Sequence, residues 1–198
     1  MPPNFESLSY WHTRFTTETA FEWLVPSQTF LSAIFPVLDS LPKSSRILHL
    51  GSGTSDLHVH LRKTGFTHIT NLDYEPLALK RGQQLEKNAF GDVQCHYAVA
   101  DVTDLHPFVG EAGKWHLVID KSTVDAISCG GEEALRRMVE GVKECLAPGG
   151  MWVSLSYSAW RFELDGLGME VELLARIPVP KVKETDPDIF YCCYLLRP

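Results

Sequence analysis

Two glycines and an aspartate carry the clearest chemical signal in this chain. Gly51 and Gly53 follow the short apolar run 46–50, and Asp73 comes roughly 20 residues later, at the end of a second apolar run. Glycines at this spacing let the backbone turn sharply and let a ligand lie against it without meeting a Cβ. The later carboxylate is placed to accept hydrogen bonds from the two hydroxyls of a ribose. The pattern predicts the first half of a nucleoside-binding βαβ unit, with an ordinary strand-turn-helix corner as the alternative.

Residue 56 indicates which nucleoside the loop favours. The dinucleotide fingerprint has a third glycine here, where a helix opens under a pyrophosphate, whereas this chain has Asp56. A carboxylate would repel a pyrophosphate, so NAD, FAD and a nicotinamide-dependent oxidoreductase are disfavoured. S-adenosylmethionine has no phosphate and carries a positive sulfonium, so it suits a two-glycine loop followed by acidic groups better.

The elements that must position these residues alternate between apolar runs and helical stretches, which predicts a parallel sheet covered by helices on both faces. Strands are predicted at Arg46–Leu50, His68–Leu72, Val93–Val99, Trp115–Ile119 and Met151–Ser156, and helices at Ser55–Lys63, Glu75–Asn88 and Gly131–Leu146. Two later runs, Met169–Ile177 and Ile189–Leu196, predict an antiparallel edge. We expect one domain over 1–198, in which residues 1–40 form a helical lid over the ligand edge and residues 41–198 form the sheet core.

Composition narrows the classes of function. The chain has 198 residues, 44% of them hydrophobic and 22% charged, which fits one globular domain. A net charge of −7 argues against a broad nucleic-acid-binding surface. No apolar run approaches the ~20 residues that span a bilayer, and the N-terminus does not read as a signal peptide. The five cysteines and eight histidines show no metal-ligand or disulfide spacing, so we expect no metal site and a reducing, cytoplasmic location.

The order of these motifs resembles the class I S-adenosylmethionine-dependent methyltransferases. The Gly-x-Gly loop, Asp73, Asp101, Asp120 and the Pro-Gly-Gly at 148–150 follow one another as in that family, over residues 40–198. The resemblance implies an α/β fold with a doubly wound, mostly parallel seven-stranded sheet and a C-terminal antiparallel hairpin. It also implies S-adenosyl-L-methionine as the cofactor and S-adenosyl-L-homocysteine as the product.

A narrower resemblance is to a methyltransferase-like branch that includes lysine methyltransferases acting on a translation elongation factor. The matching segments are Tyr10–Phe15, Phe21–Trp23, Leu50–Ser55, Ile69–Tyr74, Asp101–Leu105, Val118–Ile127 and Ser156–Phe162. The run Val118–Ile127 is the most specific, because packing alone gives little reason for that string. The chain departs from the branch at Phe15 and Phe21 (tyrosines there), Ser52 (cysteine), Glu75 (serine) and Ser122 (glycine). These changes leave the expected binding of the cofactor intact. They do leave open which substrate the protein methylates.

The resemblance assigns roles to individual residues. It implies cofactor binding by Trp11, Phe15, Phe21, Gly51, Gly53, Asp73, Tyr74, Asp101, Val102 and Lys121. The three N-terminal rings would form a lid, Tyr74 would pack beside the adenine, and Asp101 with the Val102 backbone would meet the adenine edge. Asp120 and Lys121 end the fourth strand, where the methyl group faces the substrate, so both are catalytic candidates, with Asp120 as the carboxylate near an acceptor amine. Asp125 would brace its loop, while Arg161 would either shape the acceptor pocket or pair with Glu163.

The resemblance therefore implies a methyltransferase whose acceptor is a protein lysine and whose partner is a translation elongation factor. A protein acceptor agrees with a chain that has no room for an added substrate domain. A small-molecule O- or N-methyltransferase and a catalytically silent S-adenosylmethionine-binding partner protein are the alternatives. The acceptor atom, the number of methyl groups and the oligomeric state stay open.

Overall fold

A computed structural model of the protein describes residues 5–109 and 115–198. Within these residues, one sheet contains β1 (Arg46–Leu50), β2 (His68–Asp73), β3 (His96–Val99), β4 (Trp115–Lys121), β5 (Leu146–Ser156), β6 (Glu170–Pro178) and β7 (Phe190–Arg197). The strand order is β3-β2-β1-β4-β5-β7-β6. Pairing among the first five strands is parallel, and β7 runs antiparallel to both β5 and β6. The predicted seven-stranded mixed sheet with its C-terminal hairpin is confirmed.

Helices cover both faces of this sheet. They are α1 (Leu8–Thr17), α2 (Ser27–Ala33), α3 (Phe35–Asp39), α4 (Leu57–Lys63), α5 (Pro76–Phe90), α6 (His106–Val109), α7 (Thr123–Ser128) and α8 (Glu132–Cys145). Pro76 suits the first turn of α5, where its missing N–H has no partner to lose, and Gly91 ends the helix in the left-handed conformation. In the described ranges, no helix is long and apolar enough to cross a membrane.

The two faces of the sheet bury separate cores. Val118 of β4 packs in the core that also contains residues of α7 and α8. The next residue, Ile119, packs in the other core with residues of α2, α3 and α4. Neighbouring strand residues point to opposite faces, so the sheet is doubly wound. The same alternation places Asp120 and Lys121, at the end of β4, on opposite faces of the sheet.

β6 and β7 begin one residue later than predicted, and two other strands begin several residues away from the predicted start. β3 begins at His96 rather than Val93, because the backbone N–H groups of Gln94 and Cys95 donate to the Glu86 carboxylate, each at 3.0 Å. β5 begins at Leu146 rather than Met151, because Leu146 already pairs with Trp115. A register shift then accommodates the Pro-Gly-Gly segment within the strand. The Pro-Gly-Gly segment therefore lies within β5, and β5 follows α8 without an intervening loop.

The N-terminal region divides between two environments. α1 and the segment that follows it border the carboxyl ends of the strands, as predicted for a lid. α2 and α3 instead bury apolar side chains such as Phe30 and Val37 in the core beneath the sheet face. That residues 1–40 form a lid over the ligand edge stays a prediction; α2 and α3 pack in the core, and residues 1–4 lie outside the described residues.

Candidate active site

An open cavity of about 220 Å³ lies at the carboxyl ends of β1, β2 and β4. The chain leaves β1 toward β2 on one side and β4 lies on the other, so this is the point where strand order reverses. Ligands of open α/β sheets bind in the crevice at such a point. All residues predicted to contact a cofactor line the cavity: Trp11, Phe15, Phe21, Gly51, Gly53, Asp73, Tyr74, Asp101, Val102 and Lys121. The structure thus brings together residues that are spread over more than half of the chain.

The glycine loop forms the floor of this cavity. Gly51 and Gly53 have φ angles of +56° and +52°, a conformation that side chains with a Cβ rarely adopt. A Cβ on Gly51 would lie 2.3 Å from Thr123 Oγ1, because the start of α7 packs directly against the loop. The Thr123 hydroxyl donates to the carbonyl of Leu50 at 3.0 Å. Glycine at position 51 is therefore required both by its backbone angles and by the close approach of Thr123.

Asp73 closes the end of β2 beside this loop. Its Oδ2 accepts from the Gly53 N–H at 2.8 Å, and its Oδ1 accepts from the Glu75 N–H at 2.9 Å. Each carboxylate oxygen has a second lone pair, so the side chain can accept two further hydrogen bonds. Burial raises the pKa of Asp73 to about 6, even though these two backbone N–H groups favour its charged form. The carboxylate is thus held by two backbone N–H groups and can still accept further hydrogen bonds.

Asp101 lies beyond β3 at the other end of the cavity. Its Oδ1 accepts from both the N–H and the hydroxyl of Thr103, each at 2.8 Å. Both bonds use Oδ1, so Oδ2 is not needed to hold the turn. Tyr74 and the buried Val102 line the cavity next to it. This corner combines an aromatic face, an apolar side chain and a carboxylate.

Five rings, which we call the aromatic wall, enclose the cavity on its N-terminal side: Phe5, Trp11, Phe15, Phe21 and Trp23. Ring centroids lie 5.5 Å apart for Trp11–Phe15 and 5.2 Å apart for Phe21–Trp23, so the rings pack on one another. The Arg14 guanidinium lies 4.8 Å from the Phe21 centroid and 4.7 Å from the Trp23 centroid. Cation–π attraction therefore helps to hold the two rings in place.

Lys121 lines the cavity, but its ammonium is directed at the chain itself. The Nζ atom lies 2.5 Å from Glu22 Oε2 and donates to the carbonyl of Trp23 at 2.8 Å. A third, longer bond of 3.3 Å reaches the carbonyl of Val25. Burial lowers the pKa of Lys121, while the Glu22 carboxylate favours its charged form. The ammonium is thus committed to the N-terminal segment.

Asp120 lies on the opposite face of the sheet and does not line the cavity. Its Oδ1 accepts from the Val124 N–H at 3.1 Å, and its Oδ2 accepts from the indole Nε1 of Trp152 at 2.9 Å. The prediction that this carboxylate meets an acceptor amine is not supported by the geometry, since residues 120 and 121 point to opposite faces. Asp120 instead fixes the first turn of α7, which carries Thr123 against the glycine loop.

The buried position of Asp120 predicts a pH dependence of stability. Burial raises the pKa of Asp120 to about 7, above the value of about 3.9 in an unfolded chain. Between these values the folded protein binds more protons than the unfolded chain, so the free energy of unfolding falls as pH rises. In urea unfolding, we expect the stability of the wild type relative to Asp120→Asn to decline between pH 5 and pH 8. A difference that stays constant over this range would contradict the assignment.

Asp125 links the exits of β4 and β5 on the side of the cavity away from Asp73. Its carboxylate accepts from Arg161 Nη2 at 2.8 Å and from the Ser122 hydroxyl at 3.0 Å. It also accepts from the Tyr157 N–H at 3.1 Å and from the hydroxyl of Ser156. Arg161 was expected either to shape the acceptor pocket or to pair with Glu163, but in the structure it pairs with Asp125 and does not line the cavity. The network leaves the Tyr157 ring 58% exposed at the mouth of the cavity.

The sequence did not single out several lining residues. Thr123 and Tyr157 lie in matching segments that carry no assigned role for them, and His49 has no assigned role either. The period of two along β1 was the available signal for His49, since it places residue 49 on the same face as Ile47, beside the glycine loop. Burial lowers the pKa of His49 to about 3, and its Nδ1 lies 3.0 Å from Asn71 Oδ1. This imidazole is therefore neutral at physiological pH.

No cluster of three or more His, Cys, Asp or Glu side chains that could hold a metal occurs in residues 5–109 and 115–198. Cys95, Cys129, Cys192 and Cys193 carry free thiols. Cys192 and Cys193 lie in the two different cores, as the alternation along a strand predicts.

Comparison with known proteins identifies relatives with an assigned activity. Methyltransferase srdJ of Neurospora crassa is 55% identical over 199 residues, covering 99% of this chain and 85% of that protein. Human EEF1A lysine methyltransferase 2 is 29% identical, covering 71% of this chain and 60% of its own length. No model of a protein family matches the chain.

Solved structures agree with the fold. An S-adenosylmethionine-dependent methyltransferase from Clostridium acetobutylicum superposes with a TM-score of 0.65 at 13% identity, covering 88% of this chain and 92% of that one. At 13% identity, this likeness to a solved structure shows the fold alone. The family is shown by the 55% identity to methyltransferase srdJ. On this evidence, the chain belongs to the class I S-adenosylmethionine-dependent methyltransferases and is an enzyme of that family, with relatives that include lysine methyltransferases of eEF1A.

Proposed function

We propose that the enzyme transfers a methyl group from S-adenosylmethionine to the side-chain amine of a lysine on a protein. The main support for the proposal is the aromatic wall, which lines the cavity at the point where strand order reverses. A lysine presents a flexible apolar stem and a cationic tip, and ring faces attract both. The relative named as an EEF1A lysine methyltransferase supports the same acceptor class.

The residues present fit the cofactor of the family. The left-handed backbone of Gly51 and Gly53 at the edge of the cavity, and the unused lone pairs of Asp73, match a ligand that lies against the backbone and offers two hydroxyls. In this proposal Gly51 and Gly53 underlie the methionine and ribose, and Asp73 binds the ribose hydroxyls. The corner formed by Tyr74, Asp101 and Val102 receives the adenine.

When bound, the cofactor supplies an electrophilic methyl group on a sulfonium, and the protein aligns the acceptor and excludes water. Proximity and orientation alone can contribute as much as about 7–11 kcal/mol to such a displacement. The aromatic wall and Tyr157 would strip water from an entering amine, and loss of water lowers the pKa of that amine toward the neutral, nucleophilic form. Ring faces can hold the amine meanwhile through cation–π attraction.

Three charged residues near the cavity would then act by positioning rather than by contact with the reacting atoms. Asp120 holds the first turn of α7. Asp125, already paired with Arg161, holds Tyr157 at the mouth. Lys121 holds the N-terminal segment through Glu22.

The acceptor can be tested by incubating the enzyme with methyl-labelled S-adenosylmethionine and purified elongation factor eEF1A. We expect label in the protein, with mass spectrometry locating the added methyl on a lysine side chain. A matched substrate whose lysines have been blocked by acetylation should take up no label, because an amide nitrogen is not nucleophilic.

A parallel reaction contains the small-molecule fraction of a lysate in place of the elongation factor. Label that appears only in small molecules would contradict the protein-lysine proposal and favour an O- or N-methyltransferase of small molecules. No label in any fraction, despite tight binding of S-adenosylhomocysteine, would contradict turnover and favour the catalytically silent partner.

The proposal includes a cytoplasmic location, because translation elongation factors act there. Free thiols at Cys95, Cys192 and Cys193 support a reducing compartment. Fractionation of cells that express a tagged chain would check the location.

A further inference from the structure

The side chain of Lys121 connects two parts of the protein that are far apart in sequence. It leaves the end of β4, yet its acceptors all lie in the segment 22–25: the Glu22 carboxylate and the carbonyls of Trp23 and Val25. Lysines usually keep the ammonium in water, but this side chain is only 3% exposed. The lysine therefore links the end of β4 to the N-terminal segment.

Glu22 extends this connection to the glycine loop. Besides contacting Lys121, its carboxylate accepts from the hydroxyls of Ser27 at 2.9 Å and Ser55 at 3.0 Å, and from the Asp56 N–H at 3.2 Å. Ser55 and Asp56 directly follow the glycine loop and precede α4. A single carboxylate thus joins the N-terminal segment, the end of β4 and the loop.

The residues on either side of Glu22 are members of the aromatic wall. The Phe21 N–H donates to Thr54 Oγ1 at 3.0 Å, and the Thr54 hydroxyl donates back to the Phe21 carbonyl at 3.1 Å. Trp23 supplies one of the carbonyls bound by Lys121. The placement of the wall over the cavity thus depends on these few contacts around positions 21–23.

We propose that Lys121 is a positioning residue which, through Glu22, holds the aromatic wall over the cofactor and thereby sets cofactor affinity without touching the reacting atoms. This inference rests on the proposed cofactor site. It differs from the role implied by family resemblance, in which Lys121 contacts the cofactor or the substrate directly.

Removing the Lys121 ammonium leaves the Glu22 carboxylate without its cationic partner and the carbonyls of Trp23 and Val25 without this donor, so the segment should be held less tightly. For Lys121→Met, we expect the Kd of S-adenosylhomocysteine to rise by at least about tenfold. Amide hydrogen exchange should become faster in residues 5–25, because the wall loses its connection to the sheet. Lys121→Arg should restore most of the affinity, since a guanidinium can reach the same carboxylate and carbonyls.

Two further variants complete the experiment. Lys80→Met removes an exposed lysine of α5 and should leave both the Kd and the exchange rates unchanged. Glu22→Gln should also raise the Kd and the exchange rates, and the double variant should lose less affinity than the sum of the two single losses, because the two residues share one contact. Glu22→Gln also keeps the test decisive if Lys121→Met does not fold.

Two results would overturn the inference. Unchanged affinity and unchanged exchange rates in both single variants would mean that the contact between Lys121 and Glu22 does not hold the aromatic wall in place. Weaker binding with unchanged exchange in residues 5–25 would mean that Lys121 contacts the cofactor directly. Failure of the wild type to bind S-adenosylhomocysteine would instead overturn the proposed cofactor site.

Discussion

Replacing Gly51 with alanine should destabilise the protein and abolish tight binding of S-adenosylmethionine. A residue with a Cβ in the left-handed conformation costs about 1–2 kcal/mol. The new Cβ would also lie 2.3 Å from Thr123 Oγ1 and 2.5 Å from Thr123 Cγ2, so the loop and α7 must move apart. Overpacking of this kind costs about 1–3 kcal/mol more. Urea unfolding should therefore show a loss of about 2–5 kcal/mol, and calorimetry should show weakened binding.

Gly91→Ala is the matched control for this prediction. Gly91 has a similar positive φ of +82°, but a Cβ there would meet nothing within 4 Å. Its replacement should incur the backbone cost alone and leave cofactor affinity unchanged. Equal losses of stability in the two variants, with affinity intact in both, would contradict the close approach assigned to the loop.

Asp73→Asn should weaken binding of S-adenosylhomocysteine by about 1.5–3 kcal/mol, the range for hydrogen bonds to a charged group. In Kd this is roughly a 10- to 150-fold increase. An amide has one acceptor oxygen, whereas the carboxylate already serves the N–H groups of Gly53 and Glu75 with separate oxygens. The asparagine could not serve both N–H groups and the ribose together. Asp104→Asn, an exposed change outside the cavity, is the control.

The same carboxylate predicts a pH profile for binding. Burial raises the pKa of Asp73 to about 6, and only the ionised form can accept on both oxygens. The affinity of the wild type for S-adenosylhomocysteine should therefore fall as the pH is lowered through 6, while that of Asp73→Asn should stay flat. Parallel profiles for the two proteins would show that the ribose lies elsewhere.

The central strands and the cofactor crevice could be predicted because their patterns are local. Apolar runs that end in Gly-x-Gly or in an aspartate place chain turns and carboxylates at the same edge of a parallel sheet. Gly51, Asp73 and Asp101 accordingly lie around one cavity. Strand starts were less accurate where a tertiary contact decided them, as with the Glu86 carboxylate that holds residues 94 and 95 out of the ladder.

The direction of side chains at the end of β4 could not be predicted from the motif. A strand buried on both faces is apolar throughout, so its sequence does not show which residue faces the ligand. Asp120 and Lys121 both looked suitable for chemistry, but Asp120 binds the indole of Trp152 within one core. The partner of Lys121, Glu22, lies about a hundred residues away in the chain, and no sequence period connects the two.

A structure of the protein with S-adenosylhomocysteine bound would show directly whether Asp73 binds the ribose. We expect both ribose hydroxyls to lie within hydrogen-bond distance of the Asp73 carboxylate, with the adenine between Tyr74 and Asp101. A crevice that the protein's own side chains fill, with the ligand bound at some other place on the chain, would contradict it.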